Sequence, residues 1–489
     1  MIPVLFVSLR RRMFYWKYRF QRLDQLWKII IFGLLALFVW IWVWNASKSE
    51  SATPYVIPNS VQQHVVNYCN FPMRTAGSEG SLSVEELLNQ RRFQLEMVQM
   101  VIRHGDRSQA IHIPNMDTRK YDFDCTFDTT DPERKQLFDN FRQVASHFKL
   151  LDLASGRKII NSLVPLGKRC EIGQLSQKGF LQHFELGKHM RTTYIGLIGN
   201  KIVPANLHVR STARSRCIQS GAAFLFGLLT KDTITSEGMT INVTADTWLR
   251  EDDNGIPYSC PKLMKHWAEY KQRREYVAQA AEMEPFMQKY AQILSTSRSA
   301  LPTVVFLTDA ILTRYCHKHP LPCGRGGCVS QEMAAEGIDF ASWAMSANYT
   351  GIADLATHPM LIQMAKRMTD KARQKSMLKF VLYSGHDSTV VPLMLNLGVH
   401  DRKRWTPYAT RVVFELWRDY RAKGLEATSL DPYYFRVLVN GKVVTSKMKF
   451  CGDALFKGEL CPVTELISWL SSGKGIKGMD ETYRSLCSM

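Results

Sequence analysis

The chain has no internal repeat and no long low-complexity segment, which argues against solenoid arrays and compositionally disordered tracts. Acidic residues are scarce. The 44 Asp and Glu stand against 63 Lys and Arg, for a net charge of +19. That balance excludes a polyanionic protein and suits an anionic substrate or polymer. Cysteine is absent before residue 69, and charge is absent from Ile29 to Trp44. Hydrophobic content, 45%, is ordinary for a folded protein, and 489 residues suffice for one large catalytic domain or two smaller ones.

With Asn45 and Ala46, the uncharged run approaches the ~20 residues that a bilayer crossing needs. Trp27, Trp40, Trp42 and Trp44 lie near its ends as interfacial anchors. Residues 1–28 hold seven Arg and Lys against Asp24 alone, so the positive-inside rule leaves the N-terminus cytoplasmic and the body lumenal. The run exceeds a ~7–15-residue signal-peptide core and no A-x-A site follows, so we read a single-pass signal anchor. The expected division is a basic tail (1–28), an anchor (29–46), a polar stem (47–66) with Pro54 and Pro58, and a catalytic domain (67–489). In a lumen the eleven cysteines oxidise, and an odd count leaves one over. Cys217, on an apolar helix face, is the candidate free thiol, and Cys451 with Cys461 is a candidate pair from proximity. Asn242-Val-Thr244 and Asn348-Tyr-Thr350 are candidate glycosylation sites.

The reactive residues sit at the ends of apolar runs. Met97–Ile102 reads as a buried strand that stops at Arg103-His104-Gly105-Asp106-Arg107. Asn206–Arg210 reads as a second strand, followed by a helix over about 213–229, capped by Ser211 or Thr212, with Arg214 and Arg216 in its first turn. Leu378–Ser384 is a third strand, ending in Gly385-His386-Asp387 before the helix-like run Val390–Leu397. Between the first two, Gln174–Tyr194 has helical spacing with Ser176 as N-cap. Residues 231–376 read as an inserted, mostly helical subdomain, and Asn440-Gly441 signals a hairpin between Tyr434–Val439 and Lys442–Thr445. Strands alternating with helices, each strand ending in reactive residues, predict an α/β fold with its site along the carboxyl edge of a sheet.

Those residues suit phosphoryl transfer. A neutral His104 can attack phosphorus in line, and Asp387 can protonate the departing hydroxyl and then activate water. Arg103, Arg107, Arg216 and His386 can neutralise the non-bridging oxygens, so no metal or other cofactor is required. Other motifs carry less. Gly473-Lys-Gly475-Ile-Lys-Gly478 follows a helix-like run too near the terminus for a dinucleotide unit. The cysteines of Cys316–Cys328 are expected in disulfides rather than around zinc. His183 reads as a packed helix residue, and Asp106 as a structural partner of the neighbouring arginines.

Together, Arg103–Arg107, the Gln174–Tyr194 helix with Gly179, Gln182-His183 and Leu186-Gly187, Arg210-Ser-Thr212 with Arg216, and Ser384-Gly-His-Asp387 resemble the histidine acid phosphatases, a branch of the phosphoglycerate-mutase-like superfamily. The resemblance covers most of residues 94–470. It implies a central sheet flanked by helices, His104 as nucleophile, Asp387 as proton donor, and Arg103, Arg107, Arg216 and His386 as phosphate ligands. The anchor, Asn67-Tyr-Cys-Asn-Phe-Pro72, Cys170-Glu171, Pro322–Cys328 and Phe414-Glu-Leu-Trp417 resemble the membrane-anchored members. That implies a type II Golgi membrane protein whose partner is a phosphorylated xylose of the proteoglycan linkage glycan, with no nucleic acid involved. A broad-specificity lumenal acid phosphatase and a glycan-binding protein without catalysis are the rival expectations. Gln109 replaces a usual proline and Ala213 a usual acid, but neither change removes a catalytic group.

Overall fold

Strand β1 (Phe93–Arg103) is the middle of the sheet because Met97 to Ile102 carry apolar or amide side chains on both faces and are wholly buried. In the computed structural model the described residues are 59–82, 92–117, 122–165, 167, 169–199, 203–252, 254–256, 258–422 and 429–472, with Leu34, Tyr483 and Cys487. Apart from Leu34, the expected tail and anchor lie outside them, as does the Gly473–Gly478 motif. Among the described residues no helix is long and apolar enough to cross a membrane.

The other strands are β2 (Phe148–Asp152), β3 (Leu207–Thr212), β4 (Met239–Thr244), a small hairpin β5 (Cys323–Gly324) and β6 (Gly327–Cys328), then β7 (Phe380–Gly385), β8 (Arg411–Asp419), β9 (Tyr433–Val439), β10 (Lys442–Val443) and β11 (Cys461–Pro462). The main sheet runs β10-β9-β8-β1-β7-β3-β4-β2, with β11 on β9. Strands β1, β7, β3, β4 and β2 are parallel, and β8 turns the sheet antiparallel. Asn440 and Gly441, both at positive φ, make the expected hairpin between β9 and β10.

Helices cover both faces. Helices α1 (Asn59–Cys69), α2 (Pro132–Val144), α3 (Gln177–Thr193), α4 (Ser215–Leu228), α5 (Val304–Cys316), α6 (Gln331–Ala347), α7 (Ala353–Ala372), α8 (Asp387–Asn396) and α9 (Val463–Ser472) are the ones the site and core depend on. Phe138, Phe141, Phe180, Leu186, Phe224 and Leu225 of α2, α3 and α4 pack with Val98, Met100 and Ile102 on one face. Met360, Met364, Leu393 and Leu466 of α7, α8 and α9 pack with Met97, Val101 and Val412 on the other. The fold is thus α/β with a central sheet between helical layers, as the strand–helix alternation predicts.

Several boundaries differ from expectation. Helix α1 begins inside the stretch read as stem and buries Val65 and Tyr68. Helix α4 starts at Ser215, not Ala213, and its N-cap, Arg214, makes no side-chain cap. Strand β4 lies within 231–376 yet joins the main sheet between β3 and β2, because Met239, Ile241 and Val243 alternate into the core. Ser176 caps α3 through the Gly179 amide, as its spacing predicts.

Five disulfides use ten cysteines: Cys69–Cys316, Cys125–Cys170, Cys260–Cys487, Cys323–Cys328 and Cys451–Cys461. Cys316, Cys323 and Cys328 are therefore bridged, and Cys217 is the buried free thiol. Of the two candidate glycosylation asparagines, Asn242 is half-buried in β4 with its amide donating to the Val209 carbonyl. Asn348 ends α6, half-buried, and accepts from the Tyr276 hydroxyl.

Candidate active site

Parallel pairing of β1 and β3 with β7 brings the ends of three strands side by side: Arg103 lies opposite Gly385, and Ser211 opposite Ser384. The chain then turns over α3, and the fit is tight. A Cβ on Gly105 would lie 2.4 Å from the Gly179 carbonyl, and one on Gly179 would lie 2.1 Å from the Asp106 carbonyl, so only glycine fits at either position. Gln182 holds the turn by accepting from the Asp106 amide at 2.8 Å.

His104 is buried, with Nδ1 2.8 Å from the Gly105 carbonyl, so Nδ1 carries the proton and Nε2 keeps its lone pair. Burial and the neighbouring Arg216, Arg103 and Arg107 hold its pKa well below 6.5, so the ring is neutral. His386 stands edge-on at 5.5 Å between ring centroids. Burial and Arg216 push its pKa down to about 3. Its Nδ1 faces the Arg216 guanidinium at 3.5 Å, which leaves Nε2–H to donate to Thr212 Oγ1 at 2.9 Å. His386 thus backs Arg216 in this arrangement, and its N–H must leave Thr212 to reach a phosphate.

The three arginines are held differently. Arg103, fully buried, donates to the Thr406 carbonyl and the Tyr68 hydroxyl, pairs with Asp387 at 3.0 Å, and lies 4.6 Å from the Tyr408 ring centre. Arg107 is clamped by both oxygens of Asp309, at 3.0 and 2.8 Å. Arg216 makes no ion pair with a carboxylate among the described residues, and burial and Arg107 lower its pKa. The Nε atoms of all three are buried and lack a hydrogen-bond partner among the described residues. The charges of all three guanidiniums act on His104, and that concentration of positive charge makes an anion cradle around it.

Asp387 opens α8, where its carboxylate accepts from the Ser388 amide at 2.8 Å. Burial tends to raise its pKa, but Arg103, Arg107 and His386 outweigh burial and hold it below 3.8, so the free site has an ionised Asp387. Cys217 packs 3.5 Å from His386, and burial pushes its thiol up to about 11, which makes it unreactive.

Two roles need correction or addition. Asp106 partners Ser176 at 2.5 Å and His317 at 2.6 Å rather than the neighbouring arginines, because its side chain turns away from them toward the end of α5. Asp309, Tyr68, Tyr408 and Thr406 were not anticipated. A signal for Asp309 existed, since it is the lone charge in the apolar run Val304–Leu312. His183 is fully buried in α3, a packing residue as expected.

The sequence matches the family described as Histidine phosphatase superfamily (branch 2) over residues 94–306 and 350–440. It is 31% identical to the Xenopus tropicalis protein named 2-phosphoxylose phosphatase 1, covering 86% of this chain and 81% of that one. It is 28% identical to the Bos taurus lysosomal acid phosphatase, over 50% of this chain and 60% of the other. Among solved structures, the apo phytase of Hafnia alvei superposes with a TM-score of 0.50 at 14% identity, covering 81% of this chain and 99% of that one, a likeness of fold.

Proposed function

This chain belongs to branch 2 of the histidine phosphatase superfamily, and from that premise we propose that it removes the 2-phosphate from a xylose in the glycosaminoglycan–protein linkage through a phosphohistidine on His104. The observation that carries the chemistry is the charge of Arg103, Arg107 and Arg216 gathered on a buried, neutral imidazole. With Asp387 protonated, three guanidiniums against Asp309 leave a surplus of two positive charges, the complement of a phosphomonoester dianion.

A bound dianion draws on the charge of Arg103 and raises the proton affinity of Asp387, so the carboxyl that is ionised in the free site becomes an acid in the complex. His104 Nε2 attacks phosphorus as Asp387 protonates the leaving oxygen, and Asp387 then takes a proton from the water that cleaves the P–N bond. Asp387 opens α8, so the positive end of that helix dipole adds to the same charge. His386 adds a donor once its N–H turns from Thr212.

The substrate reading is supported by a relative named for phosphoxylose that aligns over most of both chains, against half of this chain for the lysosomal acid phosphatase. We place the protein in the Golgi membrane, type II, on the strength of the uncharged Ile29–Trp44 run behind a basic flank. The test is phosphate release by the full chain from a phosphoxylosylated linkage oligosaccharide and from a small aryl phosphate. Preference for the glycan, lost in His104→Ala, is expected. Equal turnover of both would favour a general acid phosphatase, and turnover surviving His104→Ala would refute the mechanism.

A further inference from the structure

A cavity of about 740 Å3 lies beside the catalytic residues, and none of His104, Arg107, Arg216, His386 or Asp387 lines it. It sits on the β8–β9 side of β1, at the same edge of the sheet. The segment that walls it is tied to the catalytic strand: the Arg103 amide donates to the Thr410 carbonyl at 2.9 Å, and the Ala409 amide to the His104 carbonyl at 3.2 Å.

Trp405 gives the cavity an aromatic wall, with Thr406 beside it. Trp405 and Thr406 are 6% and 3% exposed, and Trp405 Nε1 and Thr406 Oγ1 are buried with no hydrogen-bond partner among the described residues. At the mouth stand Arg74, Arg404, Lys442 and Lys447, all exposed, against the single acid Asp401. A cavity of this size with an indole in its wall and a cationic rim fits a sugar ring that carries a carboxylate or sulfate. A neutral sugar would not need the rim, and inorganic phosphate would not fill the volume.

Building on the phosphoxylose reading, we propose that this cavity binds an acidic sugar of the same glycan, a subsite separate from the phosphate cradle. The two sites share walls. The Thr406 carbonyl and the Tyr68 hydroxyl, both from residues lining the cavity, hold Arg103 from behind.

The test compares the full chain with a Lys442→Glu, Lys447→Glu double variant. Three probes are used: a phosphoxylosylated oligosaccharide bearing a uronate, the same compound with the uronate reduced to a neutral sugar, and an aryl phosphate. The double variant is expected to raise KM for the acidic oligosaccharide about tenfold with kcat unchanged, and to treat the other two like the parent. Equal kinetics of variant and parent on all three would overturn the proposal. A second measurement does not depend on turnover: titration calorimetry of the unphosphorylated uronate oligosaccharide into His104→Ala chains with and without the two lysines. Binding that the lysine changes weaken supports the subsite even if the parent hydrolyses none of the probes, which would sink the phosphatase reading alone. No binding to either chain overturns the subsite. The free oligosaccharide distinguishes the sources: competition with the acidic substrate only marks a substrate subsite, whereas altered aryl phosphate turnover marks an effector site for separate glycan.

Discussion

Asp387 is the residue on which acid chemistry turns, because the free site holds it ionised while the reaction needs its proton. Asp387→Asn is expected to cut turnover of the glycan substrate by about 10²–10⁴-fold. An aryl phosphate, whose leaving group needs little protonation, should lose far less in the first step and should then accumulate phosphoenzyme, visible in rapid-quench kinetics. For the parent, kcat on the glycan should fall as pH rises through the pKa of Asp387 in the complex, and this limb should vanish in the Asn variant. Loss of both substrates alike would deny Asp387 the role of acid. At this scale the reactive groups were legible in the sequence: Arg103, His104 and Arg107 close one apolar strand, Asp387 follows another, Arg216 opens the helix after a third, and the structure gathers them at one edge. Their supports were not. Asp309 is 202 positions from Arg107 and meets it only through the packing of α5, which no local pattern encodes.

Helix α5 is the element that ties the catalytic turn to the rest of the molecule. It delivers Asp309 to Arg107, ends at Cys316 in a disulfide with Cys69 of α1, and is followed by His317 on Asp106. Burial tends to raise the pKa of Asp106, but His317 and Ser176 outweigh burial, so it lies below 3.8. A depressed carboxyl contributes stability above its unfolded pKa and loses it as pH falls through the folded one, so this link persists through the mildly acidic range. His317→Phe removes one of the two side-chain hydrogen bonds to a buried carboxylate and is expected to cost about 2 kcal/mol in urea unfolding at pH 7. Asp106→Asn in the same chain should recover part of that loss, whereas additive losses would mean the two side chains do not act as a pair. Helical stretches within residues 231–376, among them Gln331–Met345, were legible in the sequence. The membership of β4 in the sheet was not, because one short alternating strand among helices reads as loop.

For the whole molecule, acid should be destabilising despite five disulfides. Burial pushes His183 and His208 down to about 3 and His358 and His400 down to about 4, against 6.5 in the unfolded chain. The unfolded state therefore binds protons from pH 6.5 downward while the folded state does not, and each histidine removes about 1.4 kcal/mol of stability per pH unit between 6.5 and its folded pKa. Calorimetry should find Tm lower at pH 4.5 than at pH 7, and a Tm that rises on acidification would contradict the burial of these rings. Disulfide topology belongs to this scale too. Spacing suggested Cys451–Cys461, but Cys69–Cys316 and Cys260–Cys487 close loops of 247 and 227 residues, which only the folded chain reveals.

The central claim is that phosphate passes through His104. The most direct measurement is to quench the full chain within milliseconds of mixing with phosphate-labelled substrate and to map the label by peptide mass spectrometry. An acid-labile, base-stable phosphoryl group is expected on the peptide containing His104, reaching at most one per chain and absent from His104→Ala. Steady turnover with no label on that peptide, or label on another residue that persists in His104→Ala, would contradict it.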